Sequence, residues 1–309
     1  MTRAGKGEGI YNVVVIGAGT AGLVTAAGTA GLGGRVALVE RHKMGGDCLN
    51  YGCVPSKALI KSSRVAAMMR HADLYALDPV DAAIDYSRVA RRVKALRAKI
   101  EPHDSAGRFE GLGVDVFQVQ ATLESPHTVR AGDTVLRTRH IVLATGGRAA
   151  VPDVPGLREA GYLTNETVFE REEPPGRLLV IGGGPVGCEL AQAMARLGAR
   201  VTLVDRGDRL LHREDPDAAD LLKAQMERDG VRVLLRARVE SVAPGRGGAH
   251  RAGVRQEGEG GGPAPTVEVE ADTILVAAGR RPNIENLGLE KAGVAHTDRG
   301  VTINGYLQT

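Results

Sequence analysis

The chain has no tryptophan, and only three phenylalanines and six tyrosines among 309 residues. Aromatic side chains make up 3% of the composition, too few to supply stacking platforms for unpaired bases, so no nucleic-acid surface is expected. Neither charge sign dominates: 40 Lys and Arg stand against 37 Asp and Glu, for a formal net charge of +3. The densest basic stretch, Arg88 to Lys99, reads as a solvated helix face. No apolar run approaches the roughly 18 residues that a membrane-spanning helix needs. The opening residues carry Arg3 and Lys6 but no apolar stretch of a secretory signal. A cytoplasmic protein without membrane or nucleic-acid partners is expected. Three cysteines are too few for a disulfide framework. In a reducing compartment, two close cysteines are more often catalytic or metal-binding than structural.

What is present is ordinary globular material, 43% hydrophobic and 25% charged, long enough for two core-forming domains. Two stretches repeat one design. VVVIGAGTAG over 13–22 leads through a small-residue helix to Val36–Glu40, and LLVIGGGPVG over 178–187 leads through a helix to Val201–Asp205. In both, the acidic residue falls 23 positions after the first glycine. Each reads as strand, glycine turn, helix and strand. Gly17 permits the tight turn, Gly19 lets a pyrophosphate approach the backbone, and Gly22 lets the helix pack on the strand. Glu40 then stands where a carboxylate accepts from an adenosine ribose. Gly182, Gly184, Gly187 and Asp205 repeat the arrangement. Asp205 favours a free 2′-hydroxyl, hence NADH. Arg206, with Arg209 and Arg213 nearby, could instead pair a 2′-phosphate. The balance leans to NADH.

Around these units, helices are expected over Ser56–His71, Asp85–Phe109 and Ala218–Arg228. Short strands are expected near 114–118, 121–123, 134–136, 231–235, 238–242, 266–269 and 273–277, and Ile141–Leu143 reads as a buried strand end. Val151–Gly156 reads as a linker, and the polar, glycine-rich stretch 244–265 as a flexible excursion.

Cys48 and Cys53 stand in GGDCLNYGCVPSKAL over 45–59. Five residues of regular helix rise about 7.5 Å, beyond the roughly 4.4–6.8 Å between the Cα atoms of a disulfide. If the two bond, Asn50–Gly52 must turn. Pro55 is tolerated only in a first helical turn, which puts Cys53 at a helix N-terminus, where a thiolate is stabilised. Zinc would need four ligands, and no second Cys/His pair stands at suitable spacing. No metal site is expected. A redox pair and two unreactive buried thiols stay open on the residues alone. Cys188 reads as a packing residue.

Together these motifs resemble the pyridine nucleotide–disulfide oxidoreductase family, which includes glutathione reductase, dihydrolipoamide dehydrogenase and mercuric reductase. The cysteine motif is most similar to the latter two branches. Thr145 and Gly146 resemble the family's strand-end turn, and Gly279 to Asn283 its return crossover. The resemblance implies an α/β fold with two Rossmann-like, three-layer domains. FAD would bind over 1–152, NAD(P)H over 153–282, and 283–309 would return to the FAD domain. It implies an NAD(P)H-dependent flavoprotein disulfide oxidoreductase: electrons pass through flavin to a Cys48–Cys53 disulfide and on to a small-molecule or metal-ion acceptor. Cys53 would be the flavin-side thiol, Cys48 the interchange thiol, and Lys57 the cation near the reactive flavin nitrogen, paired with Glu189.

Two departures from the family stand out. Pro185 stands where several members place a tyrosine over the nicotinamide pocket. In the family, a second flavin-contacting motif and a dimer-interface domain follow a segment similar to Asn304–Thr309. The chain is therefore expected to be C-terminally truncated, lacking the dimerisation domain of a homodimeric parent. The alternative function is a catalytically incomplete fragment with at most NAD(P)H:flavin diaphorase activity. A dithiol-free NADH oxidase is disfavoured by the two cysteines.

Overall fold

The computed structural model describes residues 5–257 and 263–309. In its first half run β1 (Ile10–Ile16), α1 (Thr20–Gly31), β2 (Val36–Val39), α2 (Gly46–Asn50), α3 (Cys53–Arg70), α4 (Tyr86–Ile100) and α5 (Ala106–Gly111). There follow β3 (Asp115–Phe117), β4 (Ala121–Ser125), β5 (Thr128–Ala131), β6 (Thr134–Leu143) and β7 (Gly147–Ala149). The second half adds α6 (Leu157–Ala160), β8 (Arg177–Ile181), α7 (Pro185–Arg196), β9 (Arg200–Val204), α8 (Pro216–Arg228) and β10 (Arg232–Leu234). It closes with β11 (Ala237–Pro244), β12 (His250–Glu257), β13 (Pro263–Ala271), β14 (Thr273–Val276), β15 (Arg280–Pro282), β16 (His296–Thr297) and β17 (Gly300–Val301).

These elements form two compact units. The first comprises the described residues through Cys53, Arg97–Arg148 and Arg280–Thr309; the second comprises those of Val54–Leu96 and Ala149–Gly279. The first unit carries a sheet in the order β3-β2-β1-β6-β5-β4. Its β3, β2, β1 and β6 run parallel, and β5 and β4 run antiparallel. All four residues of β2, Val-Ala-Leu-Val, are buried, as expected of a parallel strand covered on both faces. One side of this sheet packs around Tyr11, Leu123 and Leu136, the other around Leu23, Leu38 and Phe109.

The second unit carries a parallel sheet in the order β10-β9-β8-β14. One core joins it to α3, α4 and α7 through Leu59, Val93, Leu190 and Met194. A three-stranded antiparallel sheet, β11-β12-β13, covers another part of this unit, burying Ala252, Val254, Val269 and Ala271 against Leu179 and Val276. The fold is therefore α/β with two Rossmann-like nucleotide-binding arrangements.

Three expectations are corrected. The stretch expected to be one helix from Asp85 to Phe109 breaks at Ile100, because Pro102 opens a short 3-10 turn over Glu101–Asp104. Ser105 then caps a new helix, its side chain accepting from the Arg108 N–H. The stretch from Thr134 to Leu143 is one continuous strand, with its last three residues half-buried. The excursion expected over 244–265 contains β12 and the start of β13 instead; its residues 258–262 lie outside those described.

Candidate functional site

The first glycine turn follows β1. Gly17 has φ +105, and a Cβ there would meet the Ala144 carbonyl oxygen at 2.3 Å. A Cβ on Gly22 would lie 1.8 Å from the Gly17 carbonyl oxygen, so only glycine lets α1 sit this close to the strand. Gly19 faces freer space, with Gly46 Cα at 3.8 Å as its nearest neighbour. No side chain among the described residues caps α1 at Gly19, and the first intrahelical bond is Leu23 N–H to Gly19 C=O. The N–H groups of Thr20, Ala21 and Gly22 are thus left for an anion. The Glu40 carboxylate accepts from the Ala18 and His42 N–H groups, each at 2.7 Å. It also borders a cleft whose lining includes Gly17, Arg41, Gln120, Thr145 and Asn283.

The second turn repeats this geometry within its own unit. Gly182 has φ +116, and a Cβ on Gly187 would fall 1.9 Å from the Gly182 carbonyl oxygen. Around Gly184 nothing among the described residues stands within 4 Å of a Cβ position. Asp205 accepts from the Gly183 N–H at 2.5 Å and the Gly207 N–H at 2.7 Å. Arg206 and Arg213 are exposed, and Arg209 donates to the His212 carbonyl. Each acid is thus oriented by its own turn before any ribose arrives.

The cysteine segment rests on the first turn. The Gly45 N–H donates to the Ala18 carbonyl at 2.9 Å, and a Cβ on Gly46 would be 2.5 Å from Gly19 Cα. Two glycines therefore bring α2 against the start of α1. Asn50 fastens α2 by donating to the Met44 and Gly46 carbonyls. Tyr51 and Gly52 turn, and α3 begins at Cys53 with Pro55 in its first turn. Cys48 is half-buried, Cys53 exposed, and both are free thiols. Burial pushes the Cys48 thiol up, and its hydrogen bond with Cys53 and the charge there add to this. The Thr20 hydroxyl acts in the opposite direction, and the Asp104 charge again raises it.

In the second unit, Lys57 Nζ meets both Glu189 carboxylate oxygens at 2.7 Å, across 132 residues of sequence. Cys188 is a packing residue: it is buried, its thiol is pushed up to about 12 chiefly by burial, and its Sγ donates to the Gly183 carbonyl. Among the described residues no His, Cys, Asp and Glu cluster could hold a metal ion.

A hydrogen-bonded network that no local sequence pattern announces ties the crossover together. Thr145 Oγ1 donates to the Asn283 carbonyl at 2.7 Å, Asn283 Nδ2 donates to the Thr145 carbonyl, and the Asn283 N–H donates to the Gly146 carbonyl. Arg148 pairs with both Glu285 oxygens, which holds the Glu285 carboxyl at about 2. Arg280 pairs with Asp47, the neighbour of Cys48, and donates to the Gly147 carbonyl. Gly279 has φ +128, and its carbonyl accepts from the Ala150 N–H. The resemblance marks Thr145–Gly146 and Gly279–Asn283, but spacing alone does not say which acids Arg148 and Arg280 reach.

Two glycine turns of matching form, each with its own oriented carboxylate, stand on one chain with a close pair of thiols, the arrangement of an oxidoreductase class. Residues 11–309 match the family described as pyridine nucleotide-disulphide oxidoreductase, and the chain belongs to it. It is 31% identical over 303 residues to a mercuric reductase of Staphylococcus aureus, covering 98% of this chain and 54% of that protein. It is 34% identical over 300 residues to a dihydrolipoyl dehydrogenase of Chlamydia muridarum (strain MoPn / Nigg), covering 94% and 61%. Among solved structures it resembles the HOCl-induced flavoprotein disulfide reductase RclA from Escherichia coli, with a TM-score of 0.78 and 28% identity over 95% of this chain and 62% of that one. The chain thus spans 54% and 61% of the two curated relatives. The family uses FAD and NAD(P)H, and the residues here fit both: two turns that only glycine can form, each with an oriented carboxylate. Among the described residues no helix is long and apolar enough to cross a membrane.

Proposed function

We propose that this chain passes electrons from NAD(P)H through FAD to a Cys48–Cys53 disulfide, and on to a disulfide or metal-ion acceptor. The observation that carries this reading is the contact between the two thiols, on a segment packed against the first glycine turn. FAD, when bound, supplies a two-electron relay between nicotinamide and sulfur. Two electrons and two protons convert the disulfide to two thiols; the acceptor takes the electrons, and the disulfide re-forms. Cys53, at the start of α3, is assigned the flavin-side role, and half-buried Cys48 meets the acceptor. Lys57, one turn after Cys53 on α3, places a cation whose direction Glu189 fixes. Thr145, Gly146 and Gly279 shape the crossover, and Gly17, Gly19, Gly22 and Glu40 hold the flavin nucleotide. FAD is assigned to about 1–152 and NAD(P)H to about 153–282, with 283–309 returning to the first. The name mercuric reductase supports a metal-ion acceptor, and the name dihydrolipoyl dehydrogenase a dithiol–disulfide couple, in that protein run from the dithiol side. We assign the whole protein as a homodimer.

A second reading rests on Cys48, whose thiol burial pushes up: transfer stops at the flavin, giving diaphorase activity alone. Anaerobic reduction of the FAD-loaded protein with NADH, followed by thiol counting, separates the two. Two new thiols per chain are expected, and none in Cys48→Ser or Cys53→Ser. Flavin bleaching without new thiols overturns the relay and leaves the diaphorase.

Coenzyme choice is assigned to Asp205, whose carboxylate is held by two N–H groups of its own turn, while Arg206 lies exposed beside it. NADH is expected to be preferred modestly. Asp205→Ala should cost about 1–3 kcal/mol of NADH binding and move the balance toward NADPH. Steady-state kinetics with NADPH favoured more than about tenfold in the unmutated protein would reject this assignment.

A further inference from the structure

We propose that Pro185 makes the nicotinamide-coenzyme turn a deliberately weaker pyrophosphate holder than the flavin turn, so that one dinucleotide stays while the other exchanges. This rests on the reading that Gly182–Asp205 binds NAD(P)H.

The two turns have matching backbones. Their N-cap residues have φ −80 and ψ −172 at Gly19, and φ −77 and ψ −179 at Gly184. Both caps lack a side-chain hydrogen bond, and both helices have 12 residues. The first intrahelical bonds, Leu23 N–H to Gly19 and Cys188 N–H to Gly184, are each 2.9 Å. With the backbones this alike, the difference between the turns is one of chemistry.

At the first helical position α1 has Thr20, whose N–H points with the other unpaired donors of the helix start. At the same position α7 has Pro185, which has no N–H. Proline is conformationally at home there, so the substitution leaves the turn intact and removes only a donor. The second turn therefore offers a pyrophosphate Val186 and Gly187 where the first offers Thr20, Ala21 and Gly22.

A second observation points the same way. In the first unit Gly46 closes on Gly19, so the start of α1 has a neighbouring wall. At Gly184 that space is open among the described residues, and Val186 beside it is 40% exposed. A ligand there is held by fewer donors and has a freer exit. A coenzyme that must leave after each reduction suits such a site, and a resident flavin suits the other.

The test uses FAD-loaded protein whose flavin and thiol pair are first reduced with dithionite under anaerobic conditions, so that NADH binds without transferring electrons, and calorimetric titration with adenosine, ADP and NADH. Restoring the donor in Pro185→Ala should tighten ADP and NADH about tenfold, the effect of one charge-assisted hydrogen bond. Adenosine, which has no phosphate, should bind unchanged. Pro185→Thr, which copies the first turn, should behave alike and serves if the alanine variant folds poorly. If ADP and NADH do not tighten, or if adenosine tightens equally, the inference is overturned. Gly184→Val separates this from failure of the coenzyme assignment. If it leaves NADH binding untouched, NADH binds elsewhere and the underlying reading falls with the inference. If it abolishes binding while Pro185→Ala changes nothing, only the inference falls.

Discussion

Lys57 and Glu189 make an ion pair that contributes little to stability. Their side chains are 60% and 42% exposed, and pairs in such surroundings stabilise by about 0–1 kcal/mol. A bidentate contact spanning 132 residues is therefore better explained by what it does to the ammonium. It fixes the direction of the charge one helical turn beyond Cys53. Glu189→Gln keeps the shape and removes the carboxylate charge. It should change unfolding free energy by less than about 0.5 kcal/mol. NADH-driven flavin reduction should nevertheless slow by about tenfold, on the order of 1.4 kcal/mol in the barrier. Urea titration and stopped-flow reduction of the same preparation check this. A large loss of stability with an unchanged rate would make the pair structural and remove Lys57 from the relay.

At the scale of elements, one ion pair fastens the start of β8, an inner strand of the second unit's parallel sheet, to the turn that leads into its neighbour β14. Arg177, first in β8, pairs through its guanidinium with Asp272 between β13 and β14, and its N–H donates to the same carboxylate at 2.8 Å. These bonds pull the Asp272 carboxyl down from 3.8 to about 2. A carboxyl lowered in the folded state stabilises the fold above its unfolded value. That stability is lost as pH falls from about 4 towards about 2. Both side chains are partly exposed, so solvent screening limits the contribution to about 0.5–1 kcal/mol. Asp272→Asn should cost that much at pH 7 and almost nothing at pH 2. Denaturant midpoints at both values test the sign, and an equal cost at both would exclude the ion pair as the cause.

The elements also show where sequence is readable. The glycine turns were legible because Gly17, Gly22, Gly182 and Gly187 are demanded by backbone approach that no other residue permits. The turn expected over Asn50–Gly52 if the two cysteines bond falls at Tyr51 and Gly52, while Asn50 itself ends α2. Strand β12 was not legible: its buried Ala252 and Val254 are small and alternate with Arg251, Gly253 and Arg255, so the period-two signal is faint. The break at Pro102 was written in the sequence, but the apolar rhythm of Val89, Val93 and Leu96 continues to its edge and hid it. The pairing of Lys57 with Glu189 came only through the family resemblance, since no local pattern links positions so far apart.

At the scale of the whole molecule, the chain leaves the first unit after Arg148 and returns to it at Arg280. The two ends of that excursion are stitched together inside the first unit by Thr145, Asn283, Arg148 and Glu285. Arg280 extends the stitching to Asp47 and so to the short helix carrying Cys48. A five-residue helix has too few internal bonds to hold itself, so α2 depends on such outside contacts. Arg280→Met keeps the length of the side chain and removes its charge. In FAD-loaded protein, peptides covering 45–52 should exchange amide hydrogens faster, while those of β8 and β9 should not change. The Cys48 thiol should respond as well. Burial is the main cause pushing it up, so loosening α2 lowers it and leaves more thiolate at pH 8. Alkylation of Cys48 by iodoacetamide, followed by mass spectrometry at that pH, should therefore speed up by a fewfold. Unchanged exchange over 45–52, with unchanged Cys48 reactivity, would show that α2 is held by its other contacts, among them those of Gly45, Gly46 and Asn50 and the Arg97 guanidinium on the Asn50 carbonyl, and that the crossover has no hold on the thiol.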